Sequence, residues 1–151
     1  MFWETDISLL KKMSSTDRQQ GYIVDPARRK SVKVGPEENV RQALINHLTD
    51  TLGIPLGLIS VEKEILSSDT TIRADIVVYD RKGTPWMVVE CKSPSVKISQ
   101  QVFEQVARYN AHLRAPYLLV SNGKEHFAWE WESGSNEISF LPDLPTFPPQ
   151  Q

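Results

Sequence analysis

Ala74-Asp75-Ile76-Val77-Val78-Tyr79-Asp80-Arg81-Lys82-Gly83-Thr84-Pro85-Trp86-Met87-Val88-Val89-Glu90-Cys91-Lys92 is the stretch on which the fold turns. Two runs rich in β-branched and aromatic residues flank a separator of Asp, Gly and Pro, the chemistry of a β-hairpin and its turn. Folding about Lys82-Gly83 sets Tyr79 opposite Trp86 and Asp75 opposite Glu90. Opposed residues project from the same face with Cβ atoms about 4.5–5.5 Å apart. Alternation along the strand turns Lys92 to that face as well. The spacing therefore predicts that Asp75, Glu90 and Lys92 converge at one end of the hairpin. Met87, Val89 and Cys91 form the other, apolar face, suited to packing under a helix, and Cys91 reads as a small core residue.

Two carboxylates held face to face repel one another unless a cation lies between them. A hard divalent ion such as Mg²⁺, with Mn²⁺ able to substitute, suits such an oxygen pair, completed by water and substrate phosphate. The plainer reading of the same residues makes Glu90 and Lys92 a solvated strand face and Asp75 merely a strand start.

Upstream, Gly35-Pro36-Glu37-Glu38 opens a helix: Gly at the boundary, Pro in the first turn and two acids at the positive end of the dipole. Val40, Ala43, Leu44, His47, Leu48 and Leu52 follow at helical spacing, and Gly53-Ile54-Pro55 ends the run. Residues 59–65 alternate as a strand, with Ile59, Val61, Lys63 and Ile65 on one side. Downstream, residues 99–113 predict a second helix burying Val102, Val106 and Leu113. Residues 117–121 and 127–131 are two more strands, joined by the turn signal Asn122-Gly123. The proline-rich stretch 141–149 suits neither helix nor central strand and reads as extended. Helix, three strands, helix, two strands describe an α/β chain of the α+β kind, with a central mixed sheet flanked by helices. The expected organisation is an N-terminal extension over 1–35 packing on the core, a core over 36–132, and a tail over 133–151.

Composition narrows the chemistry. The chain has 151 residues, 40% apolar and 24% charged, an ordinary globular make-up for one domain. Its net charge of −2 means that any phosphate contact must come from a local patch. Arg73, Lys97, Arg108 and Arg114 are candidates for it, although each reads equally as a surface charge. One cysteine, Cys91, excludes an internal disulfide and a Cys-based zinc site. His47, His112 and His126 lack the H-E-x-x-H spacing of zinc hydrolases. Trp3, Trp86, Trp129 and Trp131 could stack on bases, but strand aromatics ordinarily pack. No membrane span and no basic-then-apolar leader is visible, so the expected location is cytoplasmic.

Several short motifs, in order, carry a resemblance. Asp75 followed by Glu90-Cys91-Lys92 is similar to the D…ExK core of PD-(D/E)xK nucleases, and Gln105-Val106-Ala107-Arg108-Tyr109 to the QxxxY signature of their RecB-like branch. Pro36-Glu37-Glu38-Asn39-Val40-Arg41-Gln42 resembles the opening of the nuclease region of type I restriction enzyme R (HsdR) subunits. Tyr22-Ile23-Val24-Asp25-Pro26, Val89-Glu90-Cys91-Lys92-Ser93-Pro94 and Leu119-Val120-Ser121-Asn122-Gly123 fit the same pattern. The residue before Asp75 is Ala74, so the proline of the motif's name is missing.

The resemblance implies a restriction-endonuclease-like core. Asp75 and Glu90 would be metal ligands, and Lys92 would position or activate the attacking water. An acid of the first helix would complete the site, Glu38 by choice with Glu37 close behind since helical spacing does not separate them, and Gln105 and Tyr109 would approach it from one face of the second helix. The expected activity is metal-dependent DNA hydrolysis without sequence preference. Helicase, specificity and methyltransferase subunits of a restriction-modification system are the expected partners. The competing expectation is a catalytically silent module that binds DNA or docks a subunit.

Overall fold

The computed structural model describes residues 21–66, 68–132 and 137–148. Residues 1–20 of the expected N-terminal extension, with Trp3, and residues 133–136 and 149–151 of the tail lie outside them. A two-stranded hairpin comes first, β1 (Tyr22–Asp25) and β2 (Lys30–Lys33). Helix α1 (Pro36–Asp50) follows, then a single 3₁₀ turn and three antiparallel strands: β3 (Ile59–Leu66), β4 (Thr71–Tyr79) and β5 (Pro85–Cys91). Helix α2 (Gln100–Leu113) crosses over to β6 (Tyr117–Ser121), which lies parallel to β5. Strands β7 (His126–Trp131) and β8 (Ile138–Leu141) complete a six-stranded mixed sheet in sequential order β3 to β8. A parallel pair needs such a crossover; the antiparallel neighbours need only turns.

Helix α1 starts as its sequence predicts, with extended Gly35 as N-cap and Pro36 in the first turn. Its buried stripe of Val40, Leu44, Ile45 and Leu48 packs on Ile76, Val78, Met87, Val89 and Cys91. The opposite face of the sheet, with Val77, Val88, Leu118 and Val120, packs under Val102 and Val106 of α2. Buried residues on both faces explain why the central strands read as nearly continuous apolar runs. Cys91 is fully buried on the α1 side, the core role its position predicts.

Two details differ from the regular pattern. The hairpin register holds for Ile76↔Val89, Val77↔Val88 and Val78↔Met87, but the pairing then shifts and Tyr79 faces Pro85 rather than Trp86. This bulge lets Trp86 turn into the α1-side core, edge-on to Tyr117 and to Phe147 of the tail. The second departure is in β3. Ile59 and Val61 lie with the α1-side core, but Ile65 lies with the α2 side; on β4, Ile76 and Val78 likewise oppose Ile72 and Ala74. Both strands therefore change face at one place, where the pairing skips from Val61↔Ile76 to Lys63↔Ala74. Glu62, with φ of 54° in the left-handed region, and Asp75 occupy that gap. Period-two alternation puts Ile59, Val61, Lys63 and Ile65 on one side; a strained residue in mid-strand breaks the period.

The hairpin β1–β2 and strand β8 went unread in the sequence. Past β8 the described residues 142–148 run without helix or strand, as their prolines predict, and bury Phe147 against Trp86, ring centroids 5.1 Å apart.

Candidate active site

The face change delivers Asp75 to the end of the β4–β5 ladder. The last paired residues there are Ile76 and Val89; one step further, the Asp75 side chain takes the place of a strand partner, its Oδ2 accepting the Cys91 N–H at 2.7 Å. Glu90 follows Val89, the last residue paired across the hairpin, and is 5% exposed. Burial, and after it the nearby Asp75 charge, push its carboxyl up to about 8 against the opposing pull of Lys92. The two acids are electrostatic neighbours.

Helix α2 supplies the next layer. Lys92 Nζ lies 3.1 Å from Glu90 Oε1 and donates to Gln105 Oε1 at 3.2 Å. Gln105 Nε2 in turn reaches Glu90 Oε1 at 3.3 Å and the Tyr109 hydroxyl at 2.5 Å. Gln105 and Tyr109 meet because residues four apart share a helix face. Although burial opposes the charge on Lys92, Glu90 and then Asp75 hold its ammonium above the ordinary lysine range. Lys92 is thus a protonated amine beside a carboxyl poised near neutrality.

Helix α1 contributes a second, ionic layer. Arg41 Nη2 donates to Asp75 Oδ1 at 2.9 Å, and Arg41 Nη1 to Glu38 Oε2. Arg28, from the β1–β2 turn, donates to Glu38 Oε1, to Asp25 Oδ2 and, at 3.2 Å, to Glu62 Oε2. Gln42 Nε2 donates to Asp25 Oδ2 at 2.9 Å. Burial opposes ionisation of Asp25, but the Arg28 and Gln42 hydrogen bonds prevail and hold its carboxyl below the usual range. Burial likewise disfavours the Arg41 charge, and the bond to Asp75 with the charges of Asp75 and Glu38 more than compensates.

Of the two first-helix acids, Glu38 is the one turned inward. Glu37 has a side chain 52% exposed, 3.7 Å from Arg41. Glu38 is buried, but both its oxygens engage guanidinium groups, and Arg41 links it to Asp75. Among the described residues no three His, Cys, Asp or Glu side chains cluster as a complete ligand set. Asp75 and Glu90 are two oxygen donors in each other's electrostatic reach. Their chemistry fits a hard divalent cation: two adjacent carboxylates, one of them kept from ionising by burial and by the other's charge.

Sequence reasoning missed Arg41, Arg28, Asp25 and Gln42. Arg41, Asp25 and Gln42 lie within the 22–26 and 36–42 motifs, and that membership was the one signal that could have found them. Arg28 lies in an unread turn. The surface candidates stand apart: Arg73 pairs with Glu64 at 3.0 Å, both exposed, and Lys97, Arg108 and Arg114 are exposed. His126 is buried, its Nδ1 2.7 Å from Ser121 Oγ, and burial lowers it to about 4. Trp129 packs among Phe103, Phe127 and Phe140.

Residues 36–145 match the family described as the type I restriction enzyme R protein N terminus. The chain belongs to that family. Membership places it among restriction nuclease-like modules. A solved fragment described as an HsdR subunit of a type I restriction enzyme from Vibrio vulnificus is similar in structure, with a TM-score of 0.51 at 19% identity over 73% of this chain. At that identity the likeness is one of fold. The chain spans 23% of that fragment's length. No curated protein sequence matches it. Among the described residues no helix is long and apolar enough to cross a membrane.

Proposed function

We propose that this R-protein N-terminal domain hydrolyses DNA phosphodiester bonds with a divalent metal, and that Asp75, Glu90 and Lys92 carry the chemistry. The observation that bears this reading is the buried Glu90 carboxyl, raised to about 8 beside Asp75 and in contact with the Lys92 ammonium. A structural ion pair has no need of a second buried acid; a cation site does.

Asp75 and Glu90 would hold Mg²⁺, or Mn²⁺ in its place, which when bound acidifies a water and offsets phosphate charge. Asp75 is oriented for this by the Cys91 backbone N–H on Oδ2, while its Oδ1 accepts from Arg41. Lys92, fixed between Glu90 and Gln105, presents its ammonium to orient the attacking water and to stabilise charge developing on the phosphate. Gln105 and Tyr109 act behind it, setting the positions of Lys92 and Glu90. Glu38 orients Arg41. The sequence carries no base-reading motif, so sequence preference and partner choice would come from helicase, specificity and methyltransferase subunits.

Plasmid nicking in Mg²⁺ or Mn²⁺ tests the reading. Wild type should nick, and Glu90→Ala and Lys92→Ala should each lose at least about 100-fold, the scale of a lost acid–base or charge-stabilising group. Mg²⁺ should raise the melting temperature of wild type and not of Asp75→Asn, because only a ligand of the native state stabilises it. No nicking and no metal-dependent stabilisation would leave a silent docking module as the reading.

A further inference from the structure

Asp75 does not wait for a metal uncompensated. Its Oδ2 is tied to the Cys91 backbone N–H and cannot be released without opening the strand end. Oδ1 is therefore the oxygen left to exchange partners, and its present partner is Arg41. That contact is a single N–H, not the two-pronged fork of a permanent arginine–carboxylate pair. Arg41 Nε is buried with no acceptor among the described residues.

Arg41 also has somewhere else to go. Glu38 already accepts from it, Glu37 Oε1 lies 3.7 Å away and Glu62 Oε1 4.0 Å. A guanidinium that left Asp75 would keep at least one carboxylate partner and gain others, avoiding the heavy cost of a buried unpaired charge. Glu37 is half-exposed and lightly held, with Arg41 as its ion-pair partner. Glu62 is shared with Arg28 at 3.2 Å.

We propose that Arg41 is a tethered cation that occupies Asp75 until a divalent ion displaces it toward Glu37 and Glu62. This rests on reading Asp75 and Glu90 as the ion's ligands. Arg41 is then a positioning residue that sets how readily the site loads: it neutralises Asp75 in the free protein and weakens ion binding there. Glu38 is the anchor that keeps Arg41 in place during the exchange.

Isothermal titration of Mn²⁺ into the full chain, without DNA, tests this with no appeal to cleavage. Arg41→Met should bind Mn²⁺ at least about tenfold more tightly than wild type, because a competing charge beside the ligand has gone. Asp75→Asn should lose the site in either background. Wild-type or weaker affinity in a folded Arg41→Met, with binding still dependent on Asp75, would overturn the exchange and leave the metal site standing. No heat for wild type or Arg41→Met would sink the metal site itself. Should circular dichroism show Arg41→Met unfolded, Arg41→Lys decides. Its single ammonium cannot bridge Glu38 and Asp75 together, so it should bind Mn²⁺ several-fold more tightly than wild type, and unchanged affinity refutes the proposal.

Discussion

Replacing Glu90 with glutamine isolates a carboxyl whose ionisation burial resists. A carboxyl whose proton is held more tightly in the folded chain than in the unfolded one stabilises the fold while protonated. That contribution is complete below the ordinary value of 4.5 and is lost as pH rises through about 8. Integrated over the window, the loss between pH 5 and pH 9 is about 3–4 kcal/mol, at 1.36 kcal/mol per unit. Glutamine does not titrate, so the metal-free variant should match or fall slightly below wild type at pH 5 and exceed it at pH 9. At about 2–4 °C per kcal/mol for a chain of this size, the relative change amounts to about 10 °C in melting temperature. Using the difference between the two proteins cancels groups outside Glu90's reach, including Asp25, whose depressed carboxyl acts in the opposite sense at lower pH. Differential scanning fluorimetry across pH 5–9 with EDTA reads it directly. Parallel curves for the two proteins would refute the argument. A divalent ion should flatten the wild-type curve, since it stabilises the ionised carboxylate.

Other substitutions probe the surrounding layers. Gln105→Leu removes the link between Lys92, Glu90 and Tyr109 and should cut cleavage by about 10–100-fold in a nicking assay, as losing an orienting partner commonly does. Tyr109→Phe keeps Gln105 and should cost less, within about tenfold by the same assay. Arg28→Ala strips buried Asp25 and Glu38 of a shared guanidinium and should destabilise by about 3–5 kcal/mol in urea denaturation. Phe147→Ala should cost about 3 kcal/mol, lowering the melting temperature by about 6–12 °C, by emptying the place beside Trp86.

Much of the fold was legible because periodicity and turn chemistry are local. The central hairpin, both helices and the mixed sheet followed from the apolar runs of β4 and β5, from the helical spacing after Pro36 and Ser99, and from the turns at Gly83 and Asn122-Gly123. That Asp75 comes near Glu90 was legible by counting across the hairpin, although the pairing stops at Ile76↔Val89 and Asp75 sits where its strand changes face. The bulge that moves Tyr79 to Pro85 and the face change at Glu62 were not, because both arise where tertiary packing overrides a regular strand. The ionic layer stayed hidden for a different cause. Glu38 was expected at the site as an acid that completes it, while Arg28 and Arg41 were not weighed, and the structure turns both guanidinium groups onto Glu38. Buried charge is a property of the assembled structure, and sequence spacing carries little trace of it.

The β1–β2 turn bears on how small this domain can be made. A fragment begun at Pro36, where the family match begins, would keep Asp75, Glu90, Lys92, Gln105 and Tyr109 yet discard Arg28 and Asp25. Glu38 would then lean on Arg41 and a long contact to Gln42, drawing that guanidinium away from Asp75 and loosening the hold on the strand end. A fragment meant to keep this ionic layer therefore has to reach back past the family match to the β1–β2 hairpin at Tyr22.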